Sequence, residues 1–149
     1  MEEEFHNHMR IPWHDYTRKS IGRPITEASL SEKASIIGRT GIMLLSCGTG
    51  AWRVRSSMNT LARELGITCT ADIGLLSIEY TCIDGGNCYT ESLCLFNTGV
   101  NTSKLYRMEL FVNKFSKNCK KMSGDELHTL LDQIHEIHGF YSPPFLGLA

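Results

Sequence analysis

Leu75-Leu76-Ser77-Ile78-Glu79-Tyr80-Thr81-Cys82-Ile83-Asp84-Gly85-Gly86-Asn87-Cys88-Tyr89-Thr90 is the run whose reading decides the fold. Asp84-Gly85-Gly86-Asn87 is a hairpin signal, because glycines and Asn accept the backbone conformations that a tight reversal between two extended runs requires. Ahead of it Leu76, Ile78, Tyr80 and Cys82 alternate with Ser77, Glu79, Thr81 and Ile83, which gives the strand one buried and one wetter face. Residues 88–96 supply its partner after the turn. Residues 67–73, separated by Gly74, supply a third strand, so the economical arrangement is a three-stranded antiparallel meander.

Outward from the meander the hydrophobic period changes to that of helices. Leu30, Ala34, Ile37, Gly41, Leu44 and Leu45 recur at three- and four-residue spacing, with Thr26 as the expected cap, Glu27 at the positive end of the dipole and Gly48 as the stop. Gly38 and Gly41 cost helix propensity, about 1 kcal/mol each against Ala, so their presence implies a close approach by another backbone element. Val54, Met58, Leu61, Ala62 and Leu65 mark a second helix ended by Gly66, and the two form a helical hairpin. After the strands, Leu105, Met108, Phe111, Val112 and Phe115 mark a helix capped near Asn101 or Thr102. Ser123-x-x-Glu126 is a capping box that opens a last helix with Leu127, Leu130, Leu131, Ile134 and Ile137 as its stripe, ended by Gly139. The order α-α-β-β-β-α-α implies an α+β domain with its helices on one face of a small antiparallel sheet.

At 149 residues, 42% hydrophobic and 21% charged, the chain is one globular domain's worth. A net charge of −1 argues against nucleic acid as a partner, since neutralising phosphates requires a clear excess of Lys and Arg. Glu2, Glu3 and Glu4 are the opposite of a basic signal-peptide start. The six cysteines sit in apolar or strand-like stretches of a chain large enough to fold without staples, so they read as reduced thiols in a cytoplasmic setting. Residues 1–25 mix charges and three histidines without periodicity and read as a poorly ordered leader with one local turn around residues 13–20 and no chemistry. Residues 26–139 form the domain. Residues 140–149 carry no charge, contain Pro143 and Pro144, and read as the start of a truncated segment leading into a membrane, a span needing roughly 20 apolar residues.

Leu44-Leu45-Ser46-Cys47-Gly48, then Arg53-Val54 and Met58, then Ala62-Arg63-Glu64-Leu65-Gly66 resemble the amino-terminal soluble module of the threonine/serine exporter family. The segments Ile83-Asp84-Gly85-Gly86-Asn87-Cys88-Tyr89-Thr90 and Gly99-Val100-Asn101 with Lys104-Leu105 look like the same family's hairpin and following helix start, especially in its shorter, two-subunit members. Tyr141-Ser142-Pro143-Pro144-Phe145 is similar to the family's approach to its first membrane helix. The resemblance spans about residues 28–148. It implies a non-catalytic cytosolic domain of an inner-membrane exporter of small amino acids or dicarboxylates, which gates or assembles the pore or presents solute to it. Its implied partners are its own transmembrane region, a second membrane subunit, further copies of itself and small carboxylate-bearing solutes. The chain departs from the family pattern at Thr49-Gly50-Ala51-Trp52 and Arg55-Ser56-Ser57, which leaves the solute open.

The residues themselves offer one candidate binding site. Gly48, Thr49 and Gly50 lead into a helix whose start carries Arg53 and Arg55, so backbone N–H groups, a positive dipole end and two guanidinium groups could hold a carboxylate. The alternative is that the glycines only make a tight turn and Arg53 pairs with a structural carboxylate. His128, Asp132 and His135, with His138 nearby, fall on one helical stripe and read as a solvated polar face, not as metal ligands, because nothing is placed to complete a shell. Cys82, Cys88 and Cys94 read as strand thiols. Lys114, Lys117, Lys120 and Lys121 read as helix-end lysines that complement the dipole. No cofactor is implied. Two other classes stay open, a free-standing ligand-binding or regulatory domain and a small thiol enzyme built on Cys47 and a histidine, though no Gly-x-Ser-x-Gly, Walker loop or His-Glu-x-x-His is present.

Overall fold

A computed structural model describes residues 11–137. The elements run α1 (Trp13–Tyr16), α2 (Leu30–Ser46), α3 (Ala51–Glu64), β1 (Thr68–Ile73), β2 (Ser77–Asp84), β3 (Asn87–Cys94), α4 (Thr102–Asn113) and α5 (Gly124–His135). The fold is α+β, and the sheet is an antiparallel meander in the order β1-β2-β3. Gly85 takes a φ of +63° in the β2–β3 turn, a conformation that favours glycine. The buried face of β2 carries Ile78, Tyr80 and Cys82, as the alternation requires.

The centre of the molecule is α2. Fourteen of its residues are buried, because α3, α4 and α5 and strands β2 and β3 all pack against it, while α3 also covers β1. Its two interior glycines explain how it comes so close. A Cβ on Gly38 would lie 2.1 Å from the Tyr80 hydroxyl oxygen, and one on Gly41 would lie 2.5 Å from Met58 Sδ. The close approach at these glycines is therefore made by side chains, Tyr80 from β2 and Met58 from α3, and not by the backbone element expected. The Tyr80 hydroxyl in turn lies 3.0 Å from Ala34 O and 2.9 Å from Glu91 Oε1, which satisfies it in the core.

Three boundaries differ from the sequence reading. The first helix starts at Leu30, not near Thr26, which lies in a 3-10 turn over Ile25–Glu27. The Ser29 backbone N–H donates to Glu32 Oε1 at 2.8 Å and the Ser29 hydroxyl reaches the same oxygen, so Ser29 and Glu32 form the start. The helix after the sheet is capped as expected, with Lys104 N–H donating to Asn101 Oδ1 at 2.9 Å. It ends at Asn113, however, and a π-helical turn over Phe115–Cys119 carries Phe115 and Cys119 into the core. Lys120 there pairs with Glu64 at 3.3 Å.

The third difference concerns the leader. Residues 1–10 lie outside the described residues, but from Ile11 the chain packs on the domain. Trp13 is 4% exposed, Ile25 is fully buried, and Ile25 N–H donates to Met122 O at 2.8 Å. The start of α5 is shaped to receive this segment, since a Cβ on Gly124 would lie 2.5 Å from Thr17 Cγ2. One large indole and one Ile outweigh a charged, aperiodic context, because each fully buried side chain of this size is worth about 2 kcal/mol. The closing residues 140–149 lie outside the described residues.

Candidate functional site

The turn between α2 and α3 is tight. Gly48 takes a φ of +91°, and Gly99 N–H donates to Ser46 O at 3.3 Å, so the loop at Gly99 and Val100 sits against it. Gly50 caps α3 and its carbonyl accepts from Arg53 and Val54 N–H at 3.1 Å. Thr49 is buried, with its hydroxyl oxygen unpartnered among the described residues. The two arginines diverge. Arg53 Nη1 donates to Glu109 Oε2 on α4 at 2.8 Å with its side chain 56% exposed, while Arg55 Nε donates to Ala71 O on β1 at 3.2 Å. Arg53 therefore has the structural carboxylate that the sequence left as the alternative. Cys47 is buried, which pushes its thiol up from the ordinary value, the opposite of what a nucleophile needs.

A second group of side chains, which the sequence does not bring together, converges where α1 crosses α2 and α5. The stripe on α5 is not a solvated face. His128 is 0% exposed, because the segment around Trp13 covers that side of the helix while Leu127 and Leu131 bury the other. Its ring stacks on Trp13 at 5.8 Å. Its hydrogen bonds fix the tautomer: Arg39 Nη1 donates to Nδ1 at 3.2 Å, and Nε2–H donates to Ser35 Oγ at 2.9 Å, whose own proton goes to Glu32 O at 2.7 Å. Burial, aided by the neighbouring Arg39 and His14 charges, pushes the His128 pKa down to about 3, so the ring is neutral.

Arg39 is the more buried cation of this site, with its side chain only 7% exposed. Besides His128 Nδ1 it donates to His128 O at 3.1 Å and, through Nη2, to Asp132 Oδ1 at 2.5 Å, with the Trp13 ring 5.7 Å from its Cζ. Asp132 Oδ2 accepts from His14 Nε2 at 2.8 Å, and His14 Nδ1 lies 2.6 Å from Asp125 Oδ1. A histidine whose two ring nitrogens both meet carboxylates donates from both, so His14 is an imidazolium. Burial works against that charge, but the bonds to Asp125 and Asp132 outweigh it and raise the pKa above its ordinary value. Burial would likewise raise Asp132, and His14 and Arg39 reverse it and lower the carboxyl. His135, lowered by burial and then by Lys104 and Arg39, closes the far side.

Together Trp13, His14, Asp15, Arg39, Asp132 and His135 line an open cleft of about 220 Å³. The sequence contained one signal for it, the spacing of His128, Asp132 and His135 on α5. The other half came from a segment read as a leader, where a Trp next to a His is no motif by itself. No group of His, Cys, Asp and Glu among the described residues is arranged to hold a metal.

No helix among the described residues is long and apolar enough to cross a membrane. No curated protein and no solved structure matches the chain. Residues 35–149 match the model of the family described as "Putative threonine/serine exporter", a family of transporters, not of enzymes. That match takes in α2 from Ser35 onward, α3, the whole sheet, α4 and α5, well over half of the molecule, and the chain belongs to the threonine/serine exporter family.

Proposed function

We propose that this chain is the soluble, non-catalytic module of a threonine/serine exporter, on the cytoplasmic side of the inner membrane, and that it presents small carboxylate-bearing solutes to the membrane part from the cleft at Arg39. One observation carries the reading: a buried guanidinium and a carboxylate, Arg39 and Asp132, stand side by side at 2.5 Å in a concave opening. An amino acid needs one cation for its carboxylate and one anion for its ammonium, and this pair offers both while Trp13 and His135 form walls. The turn at Gly48, Thr49 and Gly50 with Arg53 and Arg55 is a second reading, favoured by the buried Thr49 hydroxyl, which has no partner among the described residues. Exposed Trp52, Val100 and Tyr106 support assembly with a second membrane subunit or further copies of the chain.

Thermal unfolding of the chain with threonine, serine and succinate tests this. Binding to the folded state adds about 2.7 kcal/mol of stability at one hundred times Kd. Threonine or serine should raise the melting temperature, Arg39→Lys should remove the rise and Arg53→Gln should keep it. A rise lost in Arg53→Gln and kept in Arg39→Lys moves the site to the α2–α3 turn. A flat response to all three solutes removes solute presentation.

A further inference from the structure

We propose that Cys69 and Cys82 are a peroxide-oxidisable dithiol, converted by hydrogen peroxide into a cross-strand disulfide that staples β1 to β2. The argument begins with register. Cys69 stands opposite Cys82, and Cys82 stands opposite Tyr89 on its other side. At the β1–β2 end Gly74 N–H donates to Ser77 O at 2.8 Å, and at the far end of β2–β3 Leu95 N–H donates to Leu76 O at 2.7 Å. Antiparallel pairs alternate between bonded and non-bonded, so counting from either bond places Cys82 in a bonded pair with Tyr89 and a non-bonded pair with Cys69. Non-bonded pairs bring Cα atoms to about 4.5 Å with their side chains close, inside the span of about 4.4–6.8 Å that a disulfide bridges.

Both thiols are free, Cys69 at 7% and Cys82 at 0% exposure. The Cys82 thiol hydrogen-bonds to the Cys69 sulfur, which holds Cys69 down and Cys82 up. Cys69 is the more exposed of the two and lies on an edge strand, where a water-sized oxidant gains access first. No other cysteine of the sheet has this relation, since Cys88 stands opposite Ile83 and Cys94 opposite Ser77.

The chemistry balances with peroxide alone. The Cys69 sulfur attacks one peroxide oxygen, the O–O bond breaks, and Cys69 sulfenic acid forms as the departing hydroxide takes up the thiol proton and leaves as water. The Cys82 sulfur then attacks the Cys69 sulfur, the S–O bond breaks, and the hydroxyl leaves with the Cys82 proton as a second water. Two thiols lose two electrons and two protons, and one peroxide becomes two waters. The staple forms at the second residue of β1, just after α3, and ties the helical hairpin to the sheet.

The test uses the full chain carrying Cys88→Ser and Cys94→Ser, which removes the two least buried thiols. The folded protein is treated with hydrogen peroxide, remaining thiols are blocked with iodoacetamide, and the chain is cut after glutamates. Cys69 then lies in residues 65–79 and Cys82 in residues 80–91. The expected product is the two peptides joined, two hydrogens lighter than their sum, separated by dithiothreitol, and lost in Cys69→Ser and in Cys82→Ser. Recovery of both peptides alkylated or separately over-oxidised overturns the proposal, as does a link that forms only in urea. Should the double variant fail to fold, the native chain cut additionally after Asp84 separates Cys82 from Cys88 and gives the same readout.

Discussion

His128 gives the sharpest quantitative expectation. A fully buried imidazole whose pKa stands at about 3 cannot take up a proton that the unfolded chain accepts near 6.5. Its folded pKa is depressed, so its contribution is fully present above 6.5 and is lost as pH falls. Between pH 7.5 and pH 5 the unfolded chain gains almost one proton at this site and the folded chain none, which costs about 2 kcal/mol at 1.36 kcal/mol per pH unit over the lower 1.5 units. Other histidines titrate over the same range, so the informative quantity is a difference. Urea unfolding of the native chain and of His128→Asn at both pH values isolates it. The variant starts less stable because Arg39 and Ser35 lose a partner, but its loss between the two pH values should be smaller by about 2 kcal/mol. Equal losses in both proteins would refute the neutral, buried assignment of the ring and with it the tautomer chain from Arg39 to Glu32.

His14 should behave with the opposite sign. Its pKa is raised by Asp125 and Asp132 against burial, so its contribution is full below about 6.5 and disappears as pH rises through the folded value. The stability gap between the native chain and His14→Gln should therefore be larger at pH 5.5 than at pH 9, read by urea midpoints; a gap that widens with pH would contradict the imidazolium. Gly38→Ala should cost about 3 kcal/mol, because the new methyl meets the Tyr80 ring held between Ala34 and Glu91, whereas Gly41→Ala should be near neutral, since a flexible Met58 can move and Ala gains about 1 kcal/mol of helix propensity. Chemical unfolding that ranks the two the other way would show that α2 is not packed as described. Arg53→Gln should change stability by about 0.5 kcal/mol or less, as its bond to Glu109 is a half-exposed ion pair.

What the sequence disclosed follows from how far each signal reaches. The meander was legible because alternation and the Asp84-Gly85-Gly86-Asn87 turn act over a few residues, and the α5 start was legible because Ser123 and Glu126 complete their cap within one turn. Ser29 and Glu32 carry the same capping signature, so the observed start of α2 stood in the sequence three residues after the Thr26 expected as its cap. Gly38 and Gly41 announced a close approach without naming what approaches, since Tyr80 lies 42 positions from Gly38 and Met58 lies 17 positions from Gly41. The Arg39 site was illegible for the same reason carried further. His14 meets its two carboxylates across 111 and 118 residues, and no local pattern encodes such a meeting.

The charges of that cluster bear on which solute the proposed presentation would favour. His14 and Arg39 supply two positive charges, and Asp125 and Asp132 supply two negative ones, each cation bonded to a carboxylate and Asp132 shared by both, while Asp15 on the cleft wall is paired with Arg18. His128 adds none, because it is held neutral. A balanced cluster exerts little net attraction on a dicarboxylate, whose two anionic ends would need an excess of cations, but it can exchange one internal pair for the carboxylate and ammonium of an amino acid at no change in charge. The Arg39, Asp132 and His135 wall lies inside the segment that matches the exporter family, while the Trp13 and His14 wall lies before it. Balance at the site therefore depends on a segment outside the matched region, because without His14 the cluster keeps one cation against two carboxylates. Succinate is the control that separates the two cases: a balanced site favours threonine or serine over it, and a site that has lost His14 disfavours it further.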